Sequence, residues 1–193
     1  MTKREKIFEA GAKLFAEHSY NSVGIRDIAR EADVNSAMLS YYFGGKAGLL
    51  KEIFACFAQR VINIVQKSMN DSSDHHDLVD KSVDSFLTDA RENRNIYLVG
   101  LRELNHDSPE LQKQRENLYN TCCVYFSEFL TRCGANPNKS EEVKFISFTA
   151  VLGTVFSDYL LGGGTYIDND ELFTTYRDVV AEILKHGSPA LWV

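Results

Sequence analysis

Apolar residues recur at three- and four-residue intervals along almost all of this chain, and proline interrupts that rhythm only three times in 193 residues. A many-stranded protein would need a turn every 8–12 residues or so, so scarce proline and only 12 glycines favour long helices. No segment alternates in the way a half-buried strand must. The expected fold class is therefore all-α, with about nine helices.

The first helix is announced by Thr2-Lys3-Arg4-Glu5, a Ser/Thr-x-x-Glu capping box, followed by Ile7, Phe8, Gly11, Leu14 and Phe15. It is expected to run to about His18. A connector over 20–24 leads to a two-turn helix with Ile25, Ile28, Ala29 and Ala32 on one stripe. Asp33-Val34-Asn35 makes a short turn, and Asn35 can cap a third helix that runs from about Ser36 to Phe43 and stops at Gly44-Gly45.

From Lys46 an apolar face continues for about twenty residues through Leu49, Ile53, Phe57, Val61 and Ile64. Residues 70–77 then read as a polar loop, whose His75-His76 doublet is not expected to hold a metal. Helices are expected over about 78–93 and 95–105, from Ser108-Pro109-Glu110 to Cys133, from Ser140 to Leu161, and from about Asp168 to His186. The head is placed at residues 1–46 and a helical body at 47–193.

Charge divides close to that boundary. The chain carries a net −6, but residues 1–51 balance to +2 and the remainder to −8. A mildly basic head on an acidic body suits a local phosphate-binding face. The charged N-terminus gives no signal-peptide core, and the apolar stretch 145–161 carries Asp158, so a cytoplasmic protein with no membrane partner is expected. Cys56, Cys122, Cys123 and Cys133 form no Cys-x-x-Cys pair and read as reduced, buried small hydrophobes, with a thiol sensor as the alternative.

Two short helices joined by a tight turn, the second small and polar on its first turn, form the arrangement of a DNA-binding helix-turn-helix. Asn35, Ser36, Ala37, Met38 and Ser40 offer hydrogen-bonding or close-approaching groups to base edges, and Tyr41, Tyr42 and Lys46 fall where a phosphate backbone would pass. The whole run from Ile25-Arg26-Asp27-Ile28-Ala29 through Val34-Asn35-Ser36-Ala37-Met38-Leu39-Ser40-Tyr41-Tyr42-Phe43 to Lys46 and Leu49 resembles the signature of the tetracycline-repressor (TetR) family of bacterial transcriptional regulators. The resemblance covers about a quarter of the chain.

It implies a dimer that engages a palindromic operator on double-stranded DNA, with a C-terminal body that dimerises and commonly holds a small-molecule inducer. It also implies that Arg26 reaches a base or phosphate from the supporting helix. Two departures stand out: Asp33 occupies the usual glycine of the turn, and Ser40 replaces a frequent tyrosine. An Asp suits the first position if the backbone there is left-handed.

In the body, Tyr97, Arg102, Tyr119, Cys122, Tyr125, Phe126 and Phe148 are candidates to line an effector pocket, where an inward Arg102 would suit an anionic ligand. The 140–161 helix sets Phe145, Phe148, Leu152, Phe156 and Tyr159 against a small-residue face of Ser147, Ala150, Thr154 and Ser157. With Tyr176, Val180 and Ile183 of the last helix, that small face is expected to form a four-helix dimer interface. No cofactor and no catalytic residue is expected: there is no His-Glu-x-x-His, phosphate-loop lysine motif or Gly-x-Ser-x-Gly, and Gly162-Gly163-Gly164 follows a helix. The alternatives are a helical scaffold module without DNA binding and, further off, an all-helical enzyme.

Overall fold

The computed structural model describes residues 1–104, 111–132 and 149–186, the side chains of 75, 126 and 129–132 excepted. Nine α-helical segments and no strand occur among them. They are α1 (Lys3–Glu17), α2 (Ile25–Glu31), α3 (Ala37–Phe43), α4 (Lys46–Asp71), α5 (His75–Glu92), α6 (Arg94–Leu104), α7 (Gln112–Arg132), α8 (149–155) and α9 (Phe173–His186). A 3₁₀ turn, Tyr20–Ser22, joins α1 to α2, and a π-helical turn, Asp158–Gly162, follows α8.

Two compact units are built from this chain: Met1–Gln59 with Asn93–Glu116, and Arg60–Glu92 with Asn117–Val193. In the first, the Thr2 capping box forms as its sequence requires, with Thr2 Oγ1 accepting from Glu5 N–H at 3.2 Å and Glu5 Oε2 accepting from Thr2 N–H at 2.8 Å. Ile7, Phe15, Ile28, Leu39, Leu49 and Phe54 are fully buried and come from four of its helices. Tyr97 of α6 meets Phe57 edge-on at 5.3 Å, and Gly100 leaves the space that the Phe57 ring fills.

The turn between α2 and α3 places Asp33 at φ 53°, the only positive φ outside glycine among the described residues. Gly44, at φ 70°, ends α3, and Gly45, at φ 114°, starts the reversal into α4. A methyl group on Gly48 would overlap the Phe43 carbonyl oxygen, so α4 approaches the end of α3 as closely as backbone allows.

The second unit packs α5 on α9, with Val83, Phe86, Leu87, Ala90, Phe156, Val180 and Ala181 buried. Phe86 and Phe156 meet edge-on at 5.8 Å. Asp158 is buried, and its Oδ2 accepts from the N–H groups of Tyr166 and Ile167 at 2.9 and 2.8 Å, organising the segment that follows the π turn. The Tyr159 hydroxyl donates to Asp168 Oδ1 at 2.7 Å.

Three boundaries differ from the sequence expectation. Asn70 and Asp71 still belong to α4, and α5 begins at His75, so the expected loop over 70–77 shrinks to 72–74. Asp74 Oδ1 accepts from Asp77 N–H at 3.0 Å, a capping contact that recruits the polar stretch into the first turn of α5. The last helix starts at Phe173 rather than near Asp168, because Asn169 Oδ1 caps the N–H groups of Glu171 and Leu172 ahead of it. The expected starts at Ser108 and Ser140, the turn over 134–139, and Cys133 and Phe145 lie outside the described residues.

Gly48→Ala is expected to lower stability by about 3 kcal/mol, the upper range for forcing a methyl into a filled space, because the obstacle is backbone rather than a flexible side chain. The urea midpoint of the variant against that of the parent measures it.

Candidate nucleic-acid interface

On α3, Leu39 and Phe43 turn into the core, so residues three and four apart on the other side share an outward face. Ala37, Ser40 and Tyr41 make up that face and are exposed, Tyr41 to 79%. Asn35 and Ser36 are exposed just ahead of it, and Arg26 is exposed on α2. Met38, Tyr42 and Lys46 are half-buried. Tyr42 packs its ring 5.0 Å from Tyr41, edge to face.

The first turn of α3 satisfies its own donors. Asn35 Oδ1 accepts from Ala37 N–H at 2.9 Å, Asn35 O from Met38 N–H at 2.9 Å, and Ser36 O from Leu39 N–H at 3.2 Å. Asn35, just ahead of the N-cap Ser36, is thus both a partner of the first helical N–H and an exposed side chain at the tip of α3.

Lys46 sits differently from the backbone-contact position expected of it. Its Nζ donates to the carbonyl oxygens of Tyr20 and Val23 at 2.9 and 3.0 Å and lies 4.1 Å from the Tyr20 ring centroid. The ammonium therefore pins the connector between α1 and α2 to the start of α4. A lysine in the first turn of a helix opposes the helix dipole, and that mismatch is the sequence signal that its charge is used elsewhere.

Several charges around this face are paired. Lys13 Nζ lies 2.6 Å from Glu31 Oε1, linking α1 to α2, which raises the lysine pKa. Arg4 pairs with Glu52 and covers the Phe43 ring at 5.1 Å. Asp27 accepts from Gly24 N–H at 3.0 Å at the start of α2 and from Arg30 at 2.7 Å, and these two bonds lower its pKa, the backbone bond most.

Residues 7–53 match the family described as bacterial regulatory proteins, tetR family, and this stretch contains the whole α2–α3 face. This N-terminal stretch of the chain is therefore similar to the DNA-binding part of tetR-family regulators. It is 39% identical over 57 residues to a probable HTH-type transcriptional regulator, YttP, of Bacillus subtilis (strain 168), covering 30% of this chain. Over 89 residues, 46% of the chain, it is 26% identical to the biofilm operon icaADBC negative transcriptional regulator IcaR of Staphylococcus aureus (strain Newman). The matched stretches span 28% and 48% of those relatives' own lengths, less than half of either. The fold extends further: the transcriptional regulator FadR from Bacillus subtilis, solved in complex with stearoyl-CoA, superposes with a TM-score of 0.73 at 17% identity, covering 95% of this chain and 98% of that one. Both curated relatives are described as transcriptional regulators.

The helical body departs from its sequence expectations in several places. Arg102 does not face a pocket: its guanidinium donates to the carbonyl oxygens of Phe15 and, at 3.4 Å, His18, capping the C-terminal end of α1. Helix α1 has no basic residue of its own in its last turn, so the cap has to come from elsewhere. Tyr97 is fully buried against Phe57 and is core rather than lining.

Tyr97 and Arg102 belong to the first compact unit, whereas Tyr119 and Cys122 belong to the second. The Tyr125 hydroxyl oxygen accepts from Gln66 Nε2 at 2.5 Å. Burial pushes the Cys122 thiol up to about 12, which keeps it protonated and unreactive. Phe148 lies outside the described residues, as does the side chain of Phe126. A cleft of about 350 Å³ opens between α4 and α5, lined by Asn63, Lys67, Ser85, Thr88, Asp89 and Glu92; Tyr97, Arg102, Tyr119, Cys122 and Tyr125 are not part of its lining.

On the expected dimer face, Val180 is buried within its own subunit, because it lies on the α9 stripe that meets α5. Ser157 Oγ and the Tyr176 hydroxyl bond each other at 2.9 Å. Ala150 and Ile183 are exposed and Thr154 half-buried; Ser147 lies outside the described residues. Val179, 52% exposed, is the outward apolar neighbour that sequence reasoning passed over, although it stands one helical turn before Ile183. Among the described residues no helix is long and apolar enough to cross a membrane, and no three His, Cys, Asp or Glu side chains are placed to hold a metal.

The lowered Asp27 pKa sets a pH dependence. A carboxylate whose folded pKa lies below its usual 3.8 contributes stability that is present above pH 3.8 and is lost as pH falls through the folded value. Asp27→Asn is therefore expected to unfold at lower urea than the parent at neutral pH, with the two midpoints converging below about pH 3.8. Urea titrations of both chains between pH 7 and pH 2.5 measure it.

Proposed function

We propose that this protein is a dimeric transcriptional regulator, acting as a repressor, that reads a palindromic operator through the outward face of α3 and is released by a small-molecule effector. The observation that carries the reading is the exposed set Asn35, Ser36, Ala37, Ser40 and Tyr41 at the tip and outer face of α3, inside the stretch that matches the tetR family. One seven-residue helix touches few base pairs, so a two-fold assembly with half-sites about 34–36 Å apart supplies the rest of the sequence.

Pairing of subunits is assigned to α8 and α9, where Ala150, Val179 and Ile183 are outward and apolar. The repressor sense is supported by the negative regulator among the relatives. The stearoyl-CoA complex of a structural neighbour supports an effector site within the helical body, released by the difference in effector affinity between two head spacings. Tyr119 and Cys122 are the expected pocket residues that remain candidates to line it.

Selection of DNA from a random pool by the purified protein is expected to enrich a palindrome whose affinity falls steeply with salt. Absence of enrichment would favour a scaffold module. Lys46→Ala, which frees the connector, is expected to weaken binding to the selected site about tenfold with an unchanged salt slope. A direct phosphate contact by Lys46 would instead lower the slope by about 1.

A further inference from the structure

The chain from the end of α1 to the start of α2 is a run of main-chain carbonyls held by two cationic side chains from other helices. Arg102 of α6 donates to the Phe15 and His18 carbonyls at its start, and Lys46 of α4 donates to the Tyr20 and Val23 carbonyls at its end. The Tyr20 ring joins the two halves, its centroid 5.4 Å from that of Phe15 and 4.1 Å from Lys46 Nζ. Carbonyls at a helix end lack intrahelical donors, and bonds from charged donors are the strongest that can replace them. The segment held in this way leads through Val23, which is buried, and Gly24, the N-cap of α2, to Arg26 on the first turn of that helix. Arg26 is exposed and has no hydrogen-bond or ion-pair partner among the described residues, so the backbone beneath it sets its direction.

We propose that Arg102 is a positioning residue for DNA binding: by holding the start of this connector it fixes the first turn of α2 and so aims Arg26 at the operator. The inference rests on the operator-binding reading above and adds α6, a helix distant in sequence, to the parts that present the DNA face. Arginine suits the task because its planar fork serves two acceptors in one fixed geometry. Without that fork the connector is held by Lys46 alone, and the end of α1 is left to fray into water. Binding DNA would then have to order the start of α2 as well as engage it, and affinity falls by that ordering.

A mutant cycle on the full chain tests this, with affinity measured for the operator that the parent selects. Methionine keeps much of the apolar stem of arginine and removes its donors. Arg102→Met is expected to weaken binding about tenfold where Arg26 is present, and less than about twofold where Arg26→Ala has already removed the contact. The thermal midpoint is expected to fall by the same amount in both backgrounds, which reports the lost cap separately from the lost aim. Arg102→Lys, which keeps the charge without the fork, is expected to recover part of the affinity.

Equal losses of affinity with and without Arg26 overturn the proposal, because they mean that Arg102 supports the fold generally or touches DNA directly. An Arg102→Met variant that binds as tightly as the parent overturns it as well. Where Arg102→Met does not fold, Arg102→Lys enters the same cycle, and only a loss confined to the background that carries Arg26 sustains the proposal. A parent that selects no operator removes the operator-binding reading itself, and this inference with it.

Discussion

The missing side chain at Gly48 sets how near α4 comes to α3, and the presentation of the outward face follows from that distance. Any β-carbon would meet the Phe43 carbonyl, so the junction is held at backbone contact rather than side-chain contact. Gly44 and Gly45 supply the left-handed turn that allows so short a reversal. Lys46, one residue on, fastens the other end of the head by bonding the Tyr20 and Val23 carbonyls. With its rear face fixed in this way, a helix of only seven residues holds its direction although short helices are marginal in isolation.

The features that were legible in the sequence are those with local causes. Capping at Thr2 and Glu5, the left-handed Asp33, the stop at Gly44 and the outward set on α3 depend on residues within four positions of one another. Local rules also explain two misplaced boundaries once the caps are seen: Asp74 and Asn169 recruit or exclude polar residues that composition alone assigns to loop or helix.

Arg102, Tyr97 and Val180 were misread for a different reason. Each is an ordinary residue on a helical stripe, and its role is set by a partner far along the chain: α1 carbonyls for Arg102, Phe57 for Tyr97, and the α5 face for Val180. Periodicity tells which residues share a face but not what that face meets. Lys46 lies between these cases, since its awkward placement at a helix start hinted at a distant partner without naming it. Cys122 is read correctly as a buried hydrophobe because burial alone decides its chemistry.

The cap that Arg102 places on α1 bears on modularity. The last carbonyls of α1 are served by an arginine 84 to 87 positions further along, and α6 falls in the same compact unit as the three N-terminal helices. A chimera that exchanges only residues 1–46 between relatives would graft α1 onto a foreign α6 and leave its carbonyl end to whatever side chain that α6 carries. The transplantable piece is discontinuous in sequence, and a recombination that respects it must carry α6 along with the head.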